Sequence, residues 1–179
     1  LVGNAGFFIL TTFMISYVTR VLGLPSAVIL TAMTIGAVAQ MVMTVVAGRL
    51  ADRFGAARVG IIGYSIFLAL AFPIFWLVDT RDPGLIIAAM VLAFGPCAIT
   101  YAIIGALIDR LFPAHVKYTG MGLSANLSAV VAGFMPALAT VFLSLSGNAS
   151  WGPATLLVVI GLISLGGAIA TSKVPASGN

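Results

Sequence analysis

The sequence predicts an all-α membrane protein of six transmembrane helices with both termini in the cytoplasm. Three observations carry this. Sixty-one per cent of the 179 residues are hydrophobic and 7% are charged, with a mean hydropathy of +1.22, far from the roughly 25% charge of soluble domains. The eight basic and four acidic residues punctuate the chain, leaving uncharged runs at 1–19, 21–48, 59–78, 83–108 and 118–172. Each of the first four is close to the ~20 residues that a helix needs to cross a bilayer, and none alternates like a barrel strand.

The first span, about 2–22, mixes Asn4, Thr11, Thr12, Ser16 and Tyr17 into its apolar sequence, more polarity than a lipid-surrounded helix needs. The second, about 26–48, is rich in Thr and Met and carries Gln40. Pro73 and Trp76 stand near the outer end of the third, about 59–78, where an interfacial aromatic is expected. In the fourth, about 84–108, Gly95-Pro96 predicts a bend just before Thr100 and Tyr101. The last run holds two spans, about 119–145 and 152–172, divided by Ser-Gly-Asn-Ala-Ser and by Pro153 in a first helical turn. Ala125, Ala129, Gly133 and Ala137 recur every fourth residue of the fifth span, predicting a smooth face for close helix contact, with Asn126 and Pro136 its polar and kinking residues. The sixth span has nothing to coordinate a ligand and reads as a lipid-facing scaffold.

Sidedness follows from the basic residues. With the first span starting in the cytoplasm, that side carries Arg49, Arg53, Arg58, Arg110, Lys117 and Lys173, and the other side only Arg20 and Arg81. Six against two satisfies the positive-inside rule. The same rule explains the pI of about 9.7, so nucleic acid is not an expected partner, whereas the lipid bilayer is. Cys97 is alone in an apolar run and His115 is the one histidine, so no disulfide framework, metal cluster or cofactor is expected. No signal peptide is visible at Leu1, and the chain is expected to belong to something longer. Nucleophile triads and phosphate loops are lacking, so no enzyme is expected.

The stretch Gly48-Arg49-Leu50-Ala51-Asp52-Arg53-Phe54-Gly55, followed by Arg58, concentrates charge after the second span. Gly48 and Gly55 suit a tight cytoplasmic turn, Asp52 can cap or pair with a helix end, and the arginines suit phosphates and acidic partners. It resembles the G-x-L-a-D-r-x-G loop of the major facilitator superfamily, which lies between the second and third helices of each six-helix half. A second segment, Leu111-Phe112-Pro113-Ala114-His115-Val116-Lys117-Tyr118-Thr119-Gly120, is similar to the loop between the fourth and fifth helices of the C-terminal half in metabolite:proton symporters of the proline/betaine, shikimate and dicarboxylate type. Asn126 and Gly133-Phe134-Met135-Pro136 continue that likeness. Arg110 departs from it, standing where an acid is usual, with Asp109 one position early.

The resemblance implies one half of a major facilitator fold. It further implies secondary transport of a small polar or carboxylated metabolite by alternating access, proton-coupled, in a bacterial inner membrane. The gating residues it implies are Gly48, Asp52, Arg53, Gly55 and Arg58, with Asp109, Arg110 and Lys117 at the second loop; the plain alternative is a loop that only sets topology. Candidate substrate contacts are the mid-depth polar groups Thr12, Tyr17, Gln40, Tyr101 and Asn126, each of which could equally bond only to a neighbouring helix. No charged side chain lies at mid-depth in a span, so the expected proton carrier belongs to the missing N-terminal six-helix half. A homodimer partner is the alternative to that half. A structural or accessory subunit of a larger complex, without transport activity, is the competing reading of the whole chain.

Overall fold

In a computed structural model the described residues are 2–111 and 117–172, and they are almost entirely helical. The first segment is wound from three π turns, Val2–Gly6, Ile9–Phe13 and Tyr17–Val21, around a short α stretch, α1 (Met14–Ser16). Five long helices follow: α2 (Ser26–Phe54), α3 (Ala56–Asp79), α4 (Pro83–Leu111), α5 (Lys117–Leu145) and α6 (Trp151–Ser172). All five contain stretches long and apolar enough to cross a membrane. The first expected span is thus the exception, because its backbone is underwound into i→i+5 bonds such as Leu22 N–H to the Tyr17 carbonyl at 3.1 Å.

Local chemistry explains where the helices stop and start. Asp82 Oδ1 accepts the Gly84 and Leu85 amides at 2.7 and 3.1 Å, capping α4, whose first residue Pro83 lacks the amide that a first turn cannot use. Gly147 and Asn148 take positive φ of 68° and 65° after α5, and the Asn148 amide returns to the Leu143 carbonyl at 2.9 Å. Pro153 falls within the first turn of α6, as its position predicts. Pro73, Pro96 and Pro136 all lie inside helices that continue past them.

The cluster Gly48–Arg58 requires a correction. The loop does not open at Gly48: α2 runs on through Gly48, Asp52 and Arg53 to Phe54, the tight turn falls on Gly55 alone, and α3 begins at Ala56. The reason is length. Twenty-nine helical residues reach about 44 Å, well past the ~30 Å hydrocarbon core, so the charged end stays helical beyond the apolar layer. Gly55 alone makes the turn, with φ 89°, which L side chains rarely adopt. Asp52 does not cap α3, whose N-terminus has no side-chain cap.

α4 is the centre of the bundle: 61% of its most apolar stretch is buried, against 17% for α2 and 17% for α5. It packs on both α2 and α3, while α6 packs on the other flank of α3. These approaches are close because glycine faces a large side chain at each. A Cβ on Gly36 of α2 would lie 2.6 Å from the Phe94 ring, and one on Gly63 of α3 would lie 2.6 Å from Ile99. The core between these helices and the first segment holds Phe13, Phe67, Phe75, Phe94 and Met90. Phe13 stacks on Tyr17 at 5.8 Å, and Tyr17 meets Phe75 edge-on at 6.1 Å.

Two faces are left bare. α2 exposes Val38, Met41 and Val42, and α5 exposes Leu123, Leu127 and Phe134. The small-residue face of α5 meets no close helix among the described residues. Ala125, Ala129, Gly133 and Ala137 are all exposed, and α5 instead turns Ala132 and Ala139 inward. Periodicity says which residues share a face, not which face has a partner.

Candidate functional site

The helices alternate in direction, so the bundle has two ends. One carries the Gly55 turn and its arginines; the other carries the Leu22–Pro25 connection, the turn after Asp79 and the end of α5. Depth along each helix follows from a rise of about 1.5 Å per residue. On that scale Thr12 and Gln40 lie at intermediate depth, Tyr17 approaches the Asp79 end, and Tyr101 and Asn126 lie toward the Gly55 end.

Much of the polarity that marks the first two spans is absorbed locally. The Thr11 hydroxyl donates to the Phe7 carbonyl at 2.7 Å, Thr34 to Leu30 at 2.8 Å and Thr44 to Gln40 at 2.8 Å. Such back-bonding lets a hydroxyl sit in an apolar layer without an outside partner. Asn126 does the same, its amide donating to the Gly122 carbonyl at 2.8 Å while the residue itself is exposed. Thr12 is exposed and Gln40 half-buried.

Tyr101 and Tyr17 each tie elements together. The Tyr101 hydroxyl donates to the Gly3 carbonyl at 2.8 Å and lies 3.3 Å from Asn4 Oδ1, whose Nδ2 in turn donates to Ser128 Oγ at 3.3 Å. This chain joins α4, the first segment and α5 toward the Gly55 end. At the other end the buried Tyr17 donates its hydroxyl to Asp79 Oδ1 at 2.6 Å. A pocket of about 220 Å³ opens beside it, lined among others by Ser16, Arg20, Thr140 and Asn148. A second cavity of about 270 Å³, between α2, α3 and α4, is apolar and lined by residues such as Met43, Leu70, Leu92 and Pro96.

The five substrate-lining candidates are therefore not gathered into one of these cavities. Tyr17 lines the first; Thr12, Gln40, Tyr101 and Asn126 line neither. Reading the sequence missed two participants. Ser128 joins the Asn4 bond, and Arg20, counted only for sidedness, lines the pocket. The i, i+4 spacing of Ser16 and Arg20 was the available signal for the second, since it puts both on one side of the segment.

At the arginine end, Asp52, Arg53 and Arg58 are all exposed. Arg53 lies 5.4 Å over the ring of its neighbour Phe54, and Asp52 has no ion pair among the described residues. Asp109 and Arg110 fall on α4 and Lys117 opens α5, but their side chains, and the whole of His115, lie outside the described residues. No group of three potential metal-ligating side chains occurs among the described residues.

Comparison with known proteins matches this architecture to a family. The profile described as Major Facilitator Superfamily matches residues 1–177. The proline/betaine transporter of Salmonella typhimurium is 30% identical over 165 residues, 90% of this chain and 32% of that protein. The inner membrane metabolite transport protein YhjE of Escherichia coli is 31% identical over 130 residues, 70% of this chain and 30% of that protein. The shikimate transporter of Escherichia coli is 27% identical, covering 87% of this chain and 36% of that protein. The chain thus spans about a third of the length of the curated relatives it matches. No solved structure matches. With a family profile over nearly every residue, bacterial transporters as relatives and five apolar helices, the chain belongs to the Major Facilitator Superfamily of transporters, not to an enzyme family, and is a multi-pass integral protein of the bacterial inner membrane.

Proposed function

We propose that this chain is the C-terminal six-helix half of a secondary transporter that moves a small polar or carboxylated metabolite by alternating access. The first segment counts as its first span, the Gly55 end faces the cytoplasm, and both termini lie on that side. The observation that carries the reading is the pair of bare apolar faces on α2 and α5, each with 17% of its apolar stretch buried. An apolar face alone can meet lipid, but the exposed stripe Ala125, Ala129, Gly133 and Ala137 on α5 is of the small-residue kind that suits close approach of another helix. A second six-helix half on those faces supplies the opposing wall of a midplane site, with the first segment, α2, α4 and α5 as this wall.

Relatives named for proline, betaine, ectoine and shikimate support an amino-acid-like or carboxylated solute. Proton coupling rests on the other half, because the acidic residues of this chain, Asp52, Asp79, Asp82 and Asp109, all stand at or beyond the edges of its apolar runs, and membrane proton relays use intramembrane acids or histidines. At the cytoplasmic end, Asp52, Arg53 and Arg58 act as a gate that engages the opposing half in one state and releases it in the other, with Asp109, Arg110 and Lys117 alongside.

The test is uptake by the full-length protein in proteoliposomes. Radiolabelled proline, glycine betaine, succinate and shikimate are offered with and without an inward proton gradient. Saturable uptake of at least one, stimulated by the gradient, is expected. Absence of uptake of every solute, in protein shown to be inserted, would overturn the reading in favour of a non-transporting subunit.

A further inference from the structure

The pocket beside Tyr17 has a composition that its packing does not explain. It lies between the last turns of the first segment and the end of α5, and its one charged lining residue is Arg20. Arg20 has no ion pair or hydrogen bond among the described residues. The nearby acids of this end are engaged elsewhere: Asp79 accepts the Tyr17 hydroxyl at 2.6 Å, and Asp82 accepts two amides at the start of α4. A guanidinium presents five donors in a rigid fork suited to a carboxylate, and nothing among the described residues fills that fork.

The surrounding polar groups divide by the direction of their protons. Thr140 donates its hydroxyl to the Pro136 carbonyl at 2.9 Å, and Ser144 donates to Val141 at 2.8 Å. Both therefore offer the pocket only acceptor oxygens. Ser16 and Asn148 have side chains without a partner among the described residues, and each can donate. Asn148 is held at the rim by its left-handed backbone, φ 65°, and by its amide bond to Leu143. Donors thus gather with Arg20, acceptors sit on α5, and the rings of Phe13 and Tyr17 form an apolar floor. About 220 Å³ corresponds to about seven waters at ~30 Å³ each, room for a small organic acid.

We propose that this pocket is a binding site for a small carboxylate-bearing solute at the non-cytoplasmic mouth of the protein, with Arg20 holding the carboxylate and Ser16 and Asn148 completing the shell. It rests on the transporter reading for its orientation and purpose, but binding there is measurable without transport. The site is separate from the midplane wall: Thr12, Gln40, Tyr101 and Asn126 do not line it. Its role is to capture solute before the central site receives it.

The experiment introduces Val21→Cys, a pocket-lining position, into the full-length protein in right-side-out vesicles and follows its modification by a membrane-impermeant maleimide. Acetate, succinate and L-proline are the probes, choline is the carboxylate-free comparison, and inorganic phosphate tests for a general anion or lipid-phosphate site. The three carboxylates are expected to slow labelling, choline and phosphate to leave it unchanged. Arg20→Gln should raise the protecting concentration about tenfold or more, and Arg20→Lys, a point charge without the fork, should fall between. Unprotected labelling, or equal protection by choline or phosphate, would overturn the site. If Arg20→Gln does not insert, Arg20→Lys decides: protection equal to that of the Arg20 protein overturns the role of the guanidinium. Uptake measured in parallel separates the two readings, since protection without any uptake sinks the transporter and keeps the site, whereas uptake without protection does the reverse.

Discussion

Tyr17 and Asp79 are 62 residues apart, and the hydroxyl of the first meets Oδ1 of the second at 2.6 Å. The bond fastens the first segment to the end of α3 on the side opposite the Gly55 turn. Tyr17 is buried against Phe13 and Phe75, so its hydroxyl has few other acceptors, while Asp79 is exposed. Hydrogen bonds to charged groups contribute about 1.5–3 kcal/mol when well shielded, and exposure of one partner discounts this to about 1 kcal/mol. Tyr17→Phe should therefore lower the melting temperature in detergent modestly, and Asp79→Asn, which keeps an acceptor oxygen, should lower it less. Equal stability of Tyr17→Phe and the parent would mean that the bond contributes nothing.

The approach of α2 to α4 makes a sharper stability prediction. A Cβ on Gly36 would come 2.6 Å from Phe94 and 3.2 Å from the Met90 carbonyl, whereas one on Gly95 meets nothing within 4 Å. Gly36→Ala should cost about 1–3 kcal/mol by overpacking, and Gly95→Ala should be near neutral. Thermal-shift curves of the two variants side by side check this, and indistinguishable curves would contradict the close contact.

Asp52 is exposed and lacks an ion pair among the described residues, which suits a group whose partner lies on another half. Asp52→Asn in the full-length protein should reduce uptake about fivefold or more, a typical coupling between two states, with little effect on the amount inserted. Unchanged uptake and unchanged cysteine accessibility at the cytoplasmic end would leave the cluster as a topology signal alone.

The bare faces of α2 and α5 predict a protection pattern. Cysteines placed at Val42 and Leu127, both exposed, should react with a lipid-soluble maleimide in the isolated 179-residue segment. The same cysteines should react several-fold more slowly in the complete transporter. Equal rates in both would mean that those faces meet lipid, and the opposing half would have to dock elsewhere.

Much of this arrangement was legible from charge placement. The turn at Asp79–Asp82 and the break before Pro153 were readable because proline, aspartate and glycine leave only a few backbone choices there. Gly48 misled because glycine inside a helix carries a cost but no prohibition, and the end of the apolar run is not the end of the helix. The face of α5 differs for another reason: the four-residue repeat is real, but none of the described residues covers it. The pocket was less visible still. In the sequence Arg20 bears only on sidedness, and only the fold sets it across from Thr140 and Asn148, more than a hundred positions later.

A single residue joins two helices of 29 and 24 residues, and this makes Gly55 the pin of a mechanical linkage. One residue supplies two soft torsions, too few for α2 and α3 to slide independently. A tilt of α2 is therefore passed to α3 as a lever arm passes torque, and α3 in turn grips α6 through Gly161 and Leu68. α6 is in this way geared to α2, with the play in the train set by the φ of one glycine.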